Sequence, residues 1–457
     1  MSFTSSSEGK SPRLSIGTPN HLQYSETYTI ESITKVGNFS EQIRFDTSLT
    51  IETGPKPAWL TIAVEEGGTD ETKDCGSDEN PCGSVVSGWR AGQRKPEGDG
   101  IRIEIKKQVG FGERIWVESE QLVIQSTTGN RSRLMCDSSL FGTDDEYDRK
   151  LGIVTIGGGF VGLSRLVLSL PSTSSDEVGG CFVVCGKGSF LVESVQIFSE
   201  GDGRVGMGVG WVEGGEIDVN GVVLANASLT VTLFGGEDEH EDIHFSVCEL
   251  RVENTTTFDA LIHFCSLSPS SSFSLSRCSF LTTVRTTDSA VSSSSQTNLS
   301  LISVSTCQDL ISVVDCVFEK SGTCHSSSPS TFTGNTLRIA LSSPFRCESK
   351  VVISSCLFVD CLSVLSDSGA LHISTGTCSA RIVLSNNWFE NLASGEEWPL
   401  RKGGVAQLDW SRLASVTTPS SPTCAVGVLV DSGTFWPTIV RRRCVFCHSR
   451  IFIQKSE

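Results

Sequence analysis

A short pattern that recurs along the chain constrains the fold more than any other feature of the sequence. Apolar residues stand at positions 1 and 3, two variable residues follow, Cys, Asn or an apolar residue stands at position 6, and Phe, Leu or Ile at position 8. Copies begin at residues 161, 190, 217, 243, 273, 311, 351, 382 and 439. Most steps between copies are 26 to 31 residues long, a spacing typical of repeat proteins.

Alternation within each copy predicts two short strands, and the variable pair between them predicts a corner. A short strand, a corner and another strand at this period describe one coil of a parallel β-helix, in which coils stack about 4.8 Å apart. An array of immunoglobulin-like sandwiches is the alternative, but it predicts hairpins and antiparallel strands rather than one phased motif. The sequence therefore favours an all-β parallel β-helix.

Identical positions of successive coils lie above one another, so positions 6 and 8 should form two inward ladders. Cys248, Cys278, Cys316 and Cys356 occupy position 6, and Asn387 takes one rung. We expect mostly buried free thiols here, because Cys packs as a small apolar residue and stacked Cβ vectors run parallel rather than towards each other. The amide of Asn387 is expected to bridge coils or to satisfy corner backbone groups.

Charge and cysteine content narrow the classes of partner and compartment. With 36 basic and 53 acidic residues the net charge is −17, which disfavours binding to nucleic acid. The chain has no apolar run long enough for a transmembrane helix, and its start lacks the apolar stretch of a signal peptide. Eighteen Cys nevertheless argue for an oxidising compartment, as do five glycosylation sequons, so we expect a piece of a longer surface protein. The sequons are Asn38, Asn130, Asn226, Asn254 and Asn298.

Two segments resemble known surface proteins. The string C-L-F-V-D-C-L-S at 356–363, followed by S-G-A-L at 368–371, resembles the repeat of right-handed, pectin-lyase-like β-helix surface proteins of the polymorphic outer-membrane-protein-like type. A looser copy covers 389–393 with 403–405. The segment from Cys75 to Ser84 resembles the lead-in sequence before such helices in protist cell-surface proteins. The resemblance implies a right-handed coil and an extracellular or cell-surface location, and we expect Cys75 and Cys82 to pair if the protein is secreted.

Three segments are predicted. Residues 1–66 alternate like strands and form a partial, β-sandwich-like segment. Residues 67–100 form an acidic linker and an N-terminal cap, with a short helix beginning within 84–89. Residues 101–457 form the right-handed parallel β-helix. A cap is expected because a bare coil end is an open sheet edge.

Three catalytic-looking strings fail on their context. His240, Glu241 and His244 fit the zinc-protease pattern, but that chemistry needs a helix, and in a strand the two His would stand about 13 Å apart. We therefore predict a solvated acidic corner. The haem-attachment string C-V-F-C-H at 444–448 coincides with ladder positions, and neither a haem nor a CxxC site is favoured there. The G-x-G-x-x-G string at 201–206 has no helix after it, so a loop is expected rather than a dinucleotide site.

Many β-helices cleave polysaccharides, so such an enzyme is the alternative function. Asp144 and Asp145 lack the other pieces of a polygalacturonase-like site, and Asp315 and Asp360 stand on separate coils without an Arg ladder. We therefore predict a non-catalytic extracellular or cell-surface scaffold for adhesion, display or recognition. No catalytic, cofactor-binding or metal-binding residue and no cofactor are predicted. The partner would be an unidentified protein or glycan, held on a lateral strand face or on loops after Ser289 and Cys324.

Overall fold

The chain divides into two compact units, Met1–Trp59 with Glu97–Asp99 and Leu60–Pro96 with Gly100–Glu457. The structure, a computed structural model, describes residues 2–4, 13–15, 27–35, 41–52, 59–69, 75–95, 100–127, 131–137, 140, 152–171, 180–199, 205–238, 241–287, 299–306, 310–325, 334–341, 348–363, 368–374, 379–390, 393–394, 404–409, 426–430 and 451–455.

The first unit contains two separate antiparallel strand pairs. Strand β1 (Ser2–Thr4) pairs with β2 (Arg13–Ser15), and β3 (Thr27–Lys35) pairs with β4 (Glu41–Glu52). The alternating runs at 28–30, 43–45 and 49–51 lie within β3 and β4, as the alternation predicts. The sandwich-like assembly of this segment stays a prediction.

The described residues of the second unit, together with Trp59, form one helix and all remaining strands. It begins with β5 (Trp59–Thr69), α1 (Val85–Gln93), β6 (Gly100–Ile105), β7 (Gln108–Gly110), β8 (Ile115–Val117), β9 (Gln121–Ser126), β10 (Arg133–Met135), β11 (Val154–Ile156), β12 (Phe160–Ser164), β13 (Val167–Leu170), β14 (Gly180–Val184), β15 (Ser189–Glu193), β16 (Gln196–Ser199), β17 (Gly208–Val212), β18 (Gly215–Asn220), β19 (Val223–Ala225), β20 (Ser228–Leu229) and β21 (Phe234–Asp238). It continues with β22 (Ile243–Cys248), β23 (Arg251–Thr257), β24 (Ile262–Ser266), β25 (Ser272–Ser276), β26 (Ser279–Thr287), β27 (Leu299–Thr306), β28 (Leu310–Val314), β29 (Val317–Glu319), β30 (Gly322–His325) and β31 (Gly334–Leu341). The last strands are β32 (Glu348–Ser354), β33 (Leu357–Val359), β34 (Leu362–Ser363), β35 (Ser368–Ser374), β36 (Ser379–Ser385), β37 (Trp388–Glu390), β38 (Ala393–Ser394), β39 (Gly404–Asp409), β40 (Val426–Val430) and β41 (Ile451–Lys455).

These strands form three long parallel sheets. Sheet 1 has 13 strands, in the order β5-β6-β9-β12-β15-β18-β22-β25-β28-β32-β36-β40-β41. Sheet 2 has 14 strands, ten of them in the order β7-β10-β13-β16-β19-β23-β26-β29-β33-β37, with β20, β30, β34 and β38 beside them. Sheet 3 has 10 strands, in the order β8-β11-β14-β17-β21-β24-β27-β31-β35-β39. The chain visits sheets 1, 2 and 3 in turn, so each round is one coil, and the predicted all-β parallel β-helix is confirmed.

The start of the β-helix is closed by helix α1. Ser84 caps it, because its Oγ accepts a hydrogen bond from the N–H of Ser87 at 3.1 Å. Gly88 packs so close to the helix's neighbours that a Cβ there would lie 2.8 Å from Val64 Cγ2. The short helix predicted from residue 84 is therefore confirmed. Strand β5, part of sheet 1, crosses the boundary predicted between residues 66 and 67.

Eight consecutive coils, from β12–β13 to β36–β37, turn at the same backbone conformation between sheets 1 and 2. The corner residue has a positive φ of 53–65° at Arg165, Ser194, Gly221, Glu249, Arg277, Asp315, Ser355 and Asn386. Such a left-handed residue reverses the chain within one position, at a steric cost for any residue with a Cβ. Each corner N–H from 165 to 355 donates to a carbonyl of the next coil at 2.9–3.1 Å, so the corners are linked along the coil axis.

The two predicted inward ladders are present. Phe280, Phe318 and Phe358 are fully buried, and neighbouring ring centroids lie 5.1 and 4.7 Å apart in stacked geometry. On the position-6 ladder, Cys278, Cys316 and Cys356 are buried free thiols, as expected. Each contacts a backbone carbonyl of the preceding coil, with sulfur-to-oxygen distances of 3.6 Å to Val247, 3.7 Å to Leu275 and 3.5 Å to Val313, respectively.

The ladder position predicted for Cys248 was wrong, although its thiol is free as expected. The register pairs Phe245 with Phe273 and Cys248 with Ser276, so this copy starts at residue 245 rather than 243. Cys248 is consequently a half-buried residue of the outer face, and Leu250 fills the ladder position instead. A slip of two residues preserves which side chains face inward, so alternation alone does not reveal it.

Asn387 bridges two coils, as its place in the ladder predicts. Its Nδ2 donates to the carbonyl of Ile353 at 2.8 Å, and its Oδ1 accepts from the N–H of Cys356 at 2.9 Å. The side chain is 1% exposed, so these two bonds replace water for a buried amide.

Two disulfides are present among the described cysteines. Cys75 pairs with Cys82, as expected for a secreted protein. Cys136, after β10, pairs with Cys181 in β14, which links neighbouring coils across 45 residues of sequence and was not predicted. Among the described residues, no helix has the length and hydrophobicity needed to cross a membrane.

Candidate recognition surface

Of the strings that resemble catalytic motifs, only parts lie within the described residues. Glu241 and His244 are exposed, and His244 lies in strand β22 with its Nδ1 3.0 Å from Ser272 Oγ. His240, the Asp144–Asp145 pair, most of the glycine string at 201–206 and the C-V-F-C-H string at 444–448 lie outside the described residues. Within the part of the chain that the structure describes, no group of three or more His, Cys, Asp or Glu residues is arranged to hold a metal ion.

Asp315 and Asp360 are corner residues rather than members of a shared site. Their φ angles are 55° and 52°, which is the left-handed conformation that Asp tolerates better than most residues. Local backbone geometry therefore accounts for both aspartates. The insertions after Ser289 and Cys324, to which ligand binding was also assigned, lie outside the described residues from 290 to 298 and from 326 to 333.

Three of the buried thiols are poor nucleophiles. The neighbouring thiol Cys278 and burial raise the pKa of Cys316 well above its usual range, and Cys316 together with burial does the same for the pKa of Cys356. Burial raises the pKa of Cys361 to about 12. Since the thiolate is the reactive form, these cysteines serve packing rather than chemistry.

One outward row of sheet 3 carries a different set of residues. Trp211, Gly235, His263, Ser303, Arg338 and His372 occupy consecutive paired positions on strands β17, β21, β24, β27, β31 and β35. Inward neighbours such as Val212, Ile262 and Phe264 are fully buried in the core. The row thus alternates with the core positions and lies on the lateral face of the β-helix.

A glycine in this row shapes the position of Trp211. A Cβ at Gly235 would lie 2.3 Å from Cζ3 and 2.5 Å from Cε3 of Trp211, so the indole lies directly on the backbone of the next coil. The imidazole of His263, one coil further on, is parallel to the indole within 9°, with 6.3 Å between ring centroids. Because Gly235 has no side chain, two rings from coils that are not adjacent come into stacked geometry.

A hydrogen-bonded carboxylate and guanidinium lie beside these rings. Asp259 accepts from Thr232 Oγ1 at 3.3 Å through one oxygen and from Arg285 Nη2 at 3.2 Å through the other. Arg285 also donates to the carbonyl of Ser300 at 3.0 Å. Its side chain is 13% exposed, whereas that of Asp259 is 55% exposed, so a buried cation fixes an accessible carboxylate. We call Trp211, Thr232, Gly235, Asp259, His263 and Arg285 the Trp211 site.

Burial disfavours the protonated form of His263. Burial lowers its pKa below the usual range; Asp259 and Glu237 oppose this, while Arg285 and Arg338 reinforce it. A neutral imidazole offers one hydrogen-bond donor and one acceptor. Two carboxylates and two guanidinium groups surround His263, so positive and negative charges are equal in number there, in contrast to the net charge of −17 of the whole chain.

Sequence reasoning predicted a lateral strand face as a binding surface but named none of these residues. Trp211 and His263 stand 52 positions apart, and only the strand register brings them together. The spacing of Trp211, Gly235 and His263 by nearly one coil each was the available signal. This spacing can be recognised only when the corner of the copy predicted to start at residue 243 is placed correctly.

Two of the sequons are also described. Asn226 and Asn254 are exposed and have positive φ angles of 55° and 45°. They occupy the same position of adjacent coils, where Asn254 Nδ2 donates to Asn226 Oδ1 at 3.3 Å. Asn accepts this left-handed conformation readily, so the backbone alone explains the residue type.

Comparison with known proteins gives no relatives. No family model, no curated protein and no solved structure matches the chain.

Proposed function

We propose that the protein is a non-catalytic scaffold, exposed outside the cell, that presents a lateral face of the β-helix for adhesion, display or recognition. The observation that carries this proposal is the combination of a continuous coil core with the Trp211 site on its outer face. Side chains that project from a hydrogen-bonded sheet keep fixed relative positions, which favours binding of an extended partner. The paired cysteines near the start of the β-helix and between coils support the extracellular location.

The resemblance to polymorphic outer-membrane-protein-like β-helix surface proteins belongs to this proposal. The string at 356–363 places Phe358 and Cys361 inward, and both are fully buried. Phe358 therefore occupies an inward ladder position, as the Phe of such a repeat would. Glycosylation at the exposed Asn226 or Asn254 would agree with secretion.

A polysaccharide-processing enzyme is the second candidate, favoured by one observation. Asp259 and His263 combine an accessible carboxylate with a neutral imidazole beside an aromatic ring, and such groups can perform acid–base chemistry. Against it, both oxygens of Asp259 are already engaged by protein donors, one by Thr232 and the other by Arg285.

A cleavage screen separates the two functions. The purified chain is incubated with polysaccharides and peptides, with and without Ca²⁺ or Zn²⁺, beside the variants Glu241→Gln and Asp259→Asn. The scaffold proposal predicts no turnover in any sample. Turnover that disappears in Asp259→Asn would establish the enzyme, and metal-dependent turnover that disappears in Glu241→Gln would establish a hydrolase at the H-E-x-x-H string.

A further inference from the structure

The Trp211 site combines a flat aromatic surface with hydrogen-bonding groups that are held in place before any ligand arrives. The indole is supported from below by the backbone of Gly235. It is only partly buried, which leaves ring surface accessible to a ligand. An aromatic ring that lies on a sheet in this way offers a platform for a flat, weakly polar partner.

The polar groups around the platform are fixed by their neighbours. Asp259 receives hydrogen bonds from both Thr232 and Arg285, so its carboxylate has one orientation. His263 lies parallel to the indole and its burial favours the neutral imidazole, so it can donate through one nitrogen and accept through the other. Because these groups are already ordered, binding costs little conformational entropy.

The balance of charge selects the ligand class. Asp259 and Glu237 are offset by Arg285 and Arg338 around His263. A polyanion would be repelled by the carboxylates and by the net charge of −17, and a polycation would meet the two guanidinium groups. A neutral molecule that has an apolar face and many hydroxyl groups fits both the platform and the hydrogen-bonding groups.

We propose that the Trp211 site binds a neutral glycan, with one sugar ring stacked on the indole of Trp211 and its hydroxyl groups hydrogen-bonded to Asp259 and His263. The outward row continues through Ser303 and Arg338 to His372 at the coil spacing, so neighbouring sugars of a chain would meet further polar side chains. This inference rests on the proposed scaffold function and supplies its ligand class.

The test is affinity electrophoresis and calorimetry of the whole chain against neutral glucans, mannans, xylans and galactans, with polygalacturonate as the anionic comparison. We expect at least one neutral polymer to bind and polygalacturonate to bind more weakly. Trp211→Ala should weaken binding by about tenfold. Asp259→Asn should also weaken it, while the affinity should change little between pH 7.5 and 8.5, because burial lowers the pKa of His263 below its usual range and so favours the neutral imidazole there.

Trp116→Ala is the matched control. Trp116 lies on the outward face of the same sheet and is 50% exposed, with Gly157 beside its ring, but it belongs to β8, three strands from β17. Trp116→Ala should leave the glycan affinity unchanged, and thermal unfolding should show that both Trp variants are folded. The proposal is overturned if no neutral polymer binds, if only the anionic polymer binds, or if Trp211→Ala and Trp116→Ala bind alike. These outcomes leave the scaffold function intact, whereas turnover of a bound polymer would overturn the scaffold and not the site.

Discussion

The early and late coils of the β-helix share their backbone corners but fill them with different chemistry. In the early coils the position-6 ladder is aliphatic, with Leu166, Val195, Val222 and Leu250, and the position-8 ladder holds Leu168, Ile197, Leu224 and Val252. In the late coils the same positions hold Cys278, Cys316, Cys356 and Asn387, and Phe280, Phe318 and Phe358. The corner geometry therefore fixes which positions are buried. Side chains of different volume and hydrogen-bonding capacity can fill those positions.

In the late coils, the larger Phe rings at position 8 compensate for the smaller Cys and Asn side chains at position 6. A Phe fills more volume than a Leu, and a Cys or Asn fills less than a Leu, so the total volume per coil is roughly conserved. Cores tolerate substitutions that keep the total volume. The small polar residues also reach backbone carbonyls of the preceding coil, as Cys316 and Asn387 do, which hydrocarbon side chains cannot.

The largest effect is expected where the late coils depend on stacked rings. Phe318→Ala should lower the free energy of unfolding by about 3–5 kcal/mol, because it opens a cavity between two stacked partners. Leu224→Ala, the matched change in an early coil, removes a smaller side chain and should cost about 2–3 kcal/mol. Denaturant unfolding of both variants measures the difference. A larger loss for Leu224→Ala would mean that the ring stack adds nothing to the late coils.

The bridging amide is the next most costly position. Asn387→Leu should cost about 1–3 kcal/mol, because it leaves the buried N–H of Cys356 and the carbonyl of Ile353 without their side-chain partner. Cys356→Val is the control. A thiol is only a weak hydrogen-bond donor and Val is an apolar residue of comparable size, so this change should cost less than about 1.5 kcal/mol. If thermal unfolding gave the two variants the same stability, the amide bridge would carry no special weight.

A corner glycine tests the shared backbone rather than the core. Gly221 has a φ of 65°, so Gly221→Val should cost about 1–2 kcal/mol through left-handed strain. Ser194→Gly in the preceding coil should stay within about ±0.5 kcal/mol, because relief of strain is offset by backbone entropy. Equal destabilisation of both variants in a melting experiment would contradict a left-handed corner at these positions.

The smallest effect concerns a half-buried carboxylate, Asp218, on the outer face of sheet 1. Burial, and then Glu216, raise the pKa of Asp218 above its usual range. A group whose pKa is raised by folding contributes stability that is fully present below its unfolded-state pKa. This stability is lost as the pH rises through the folded-state pKa, so the carboxylate form of Asp218 destabilises the protein at pH 7. Asp218→Asn should therefore raise the melting temperature at pH 7 and leave it nearly unchanged at pH 3. The opposite pH dependence would mean that the carboxylate form of Asp218 is stabilised in the fold.

Period and alternation predicted most of the late coils. Phe280, Phe318 and Cys316 could be placed because the motif repeats there with one inward residue every second position. The start at 243 was wrong, because the extra inward residue Ile243 extends the alternation by one pair and hides the corner at Glu249. Side chains that meet only through the register of distant strands gave no local signal.

The cross-coil disulfide and the Trp211 site are the clearest examples of such contacts. Cys136 and Cys181 stand 45 residues apart, with β11, β12 and β13 between them, so the repeat spacing of 26 to 31 residues does not relate them. Trp211 reaches His263 only because Gly235 lacks a side chain. Neither arrangement follows from the type of residue or from its position within one copy.

Distances along one row of sheet 1 test the stacking of coils most directly. Val123, Leu191 and Ser312 occupy the same outward row, with Ser312 four coil steps from Leu191 and six from Val123. Spin labels carried on an unnatural amino acid avoid the native cysteines, and pulsed electron resonance gives the distance between them. The account predicts about 19 Å for the pair 191 and 312 and about 29 Å for the pair 123 and 312, in proportion to the coil steps. Distances that do not grow with the number of coils, as in an array of separate sandwich domains, would contradict the parallel β-helix.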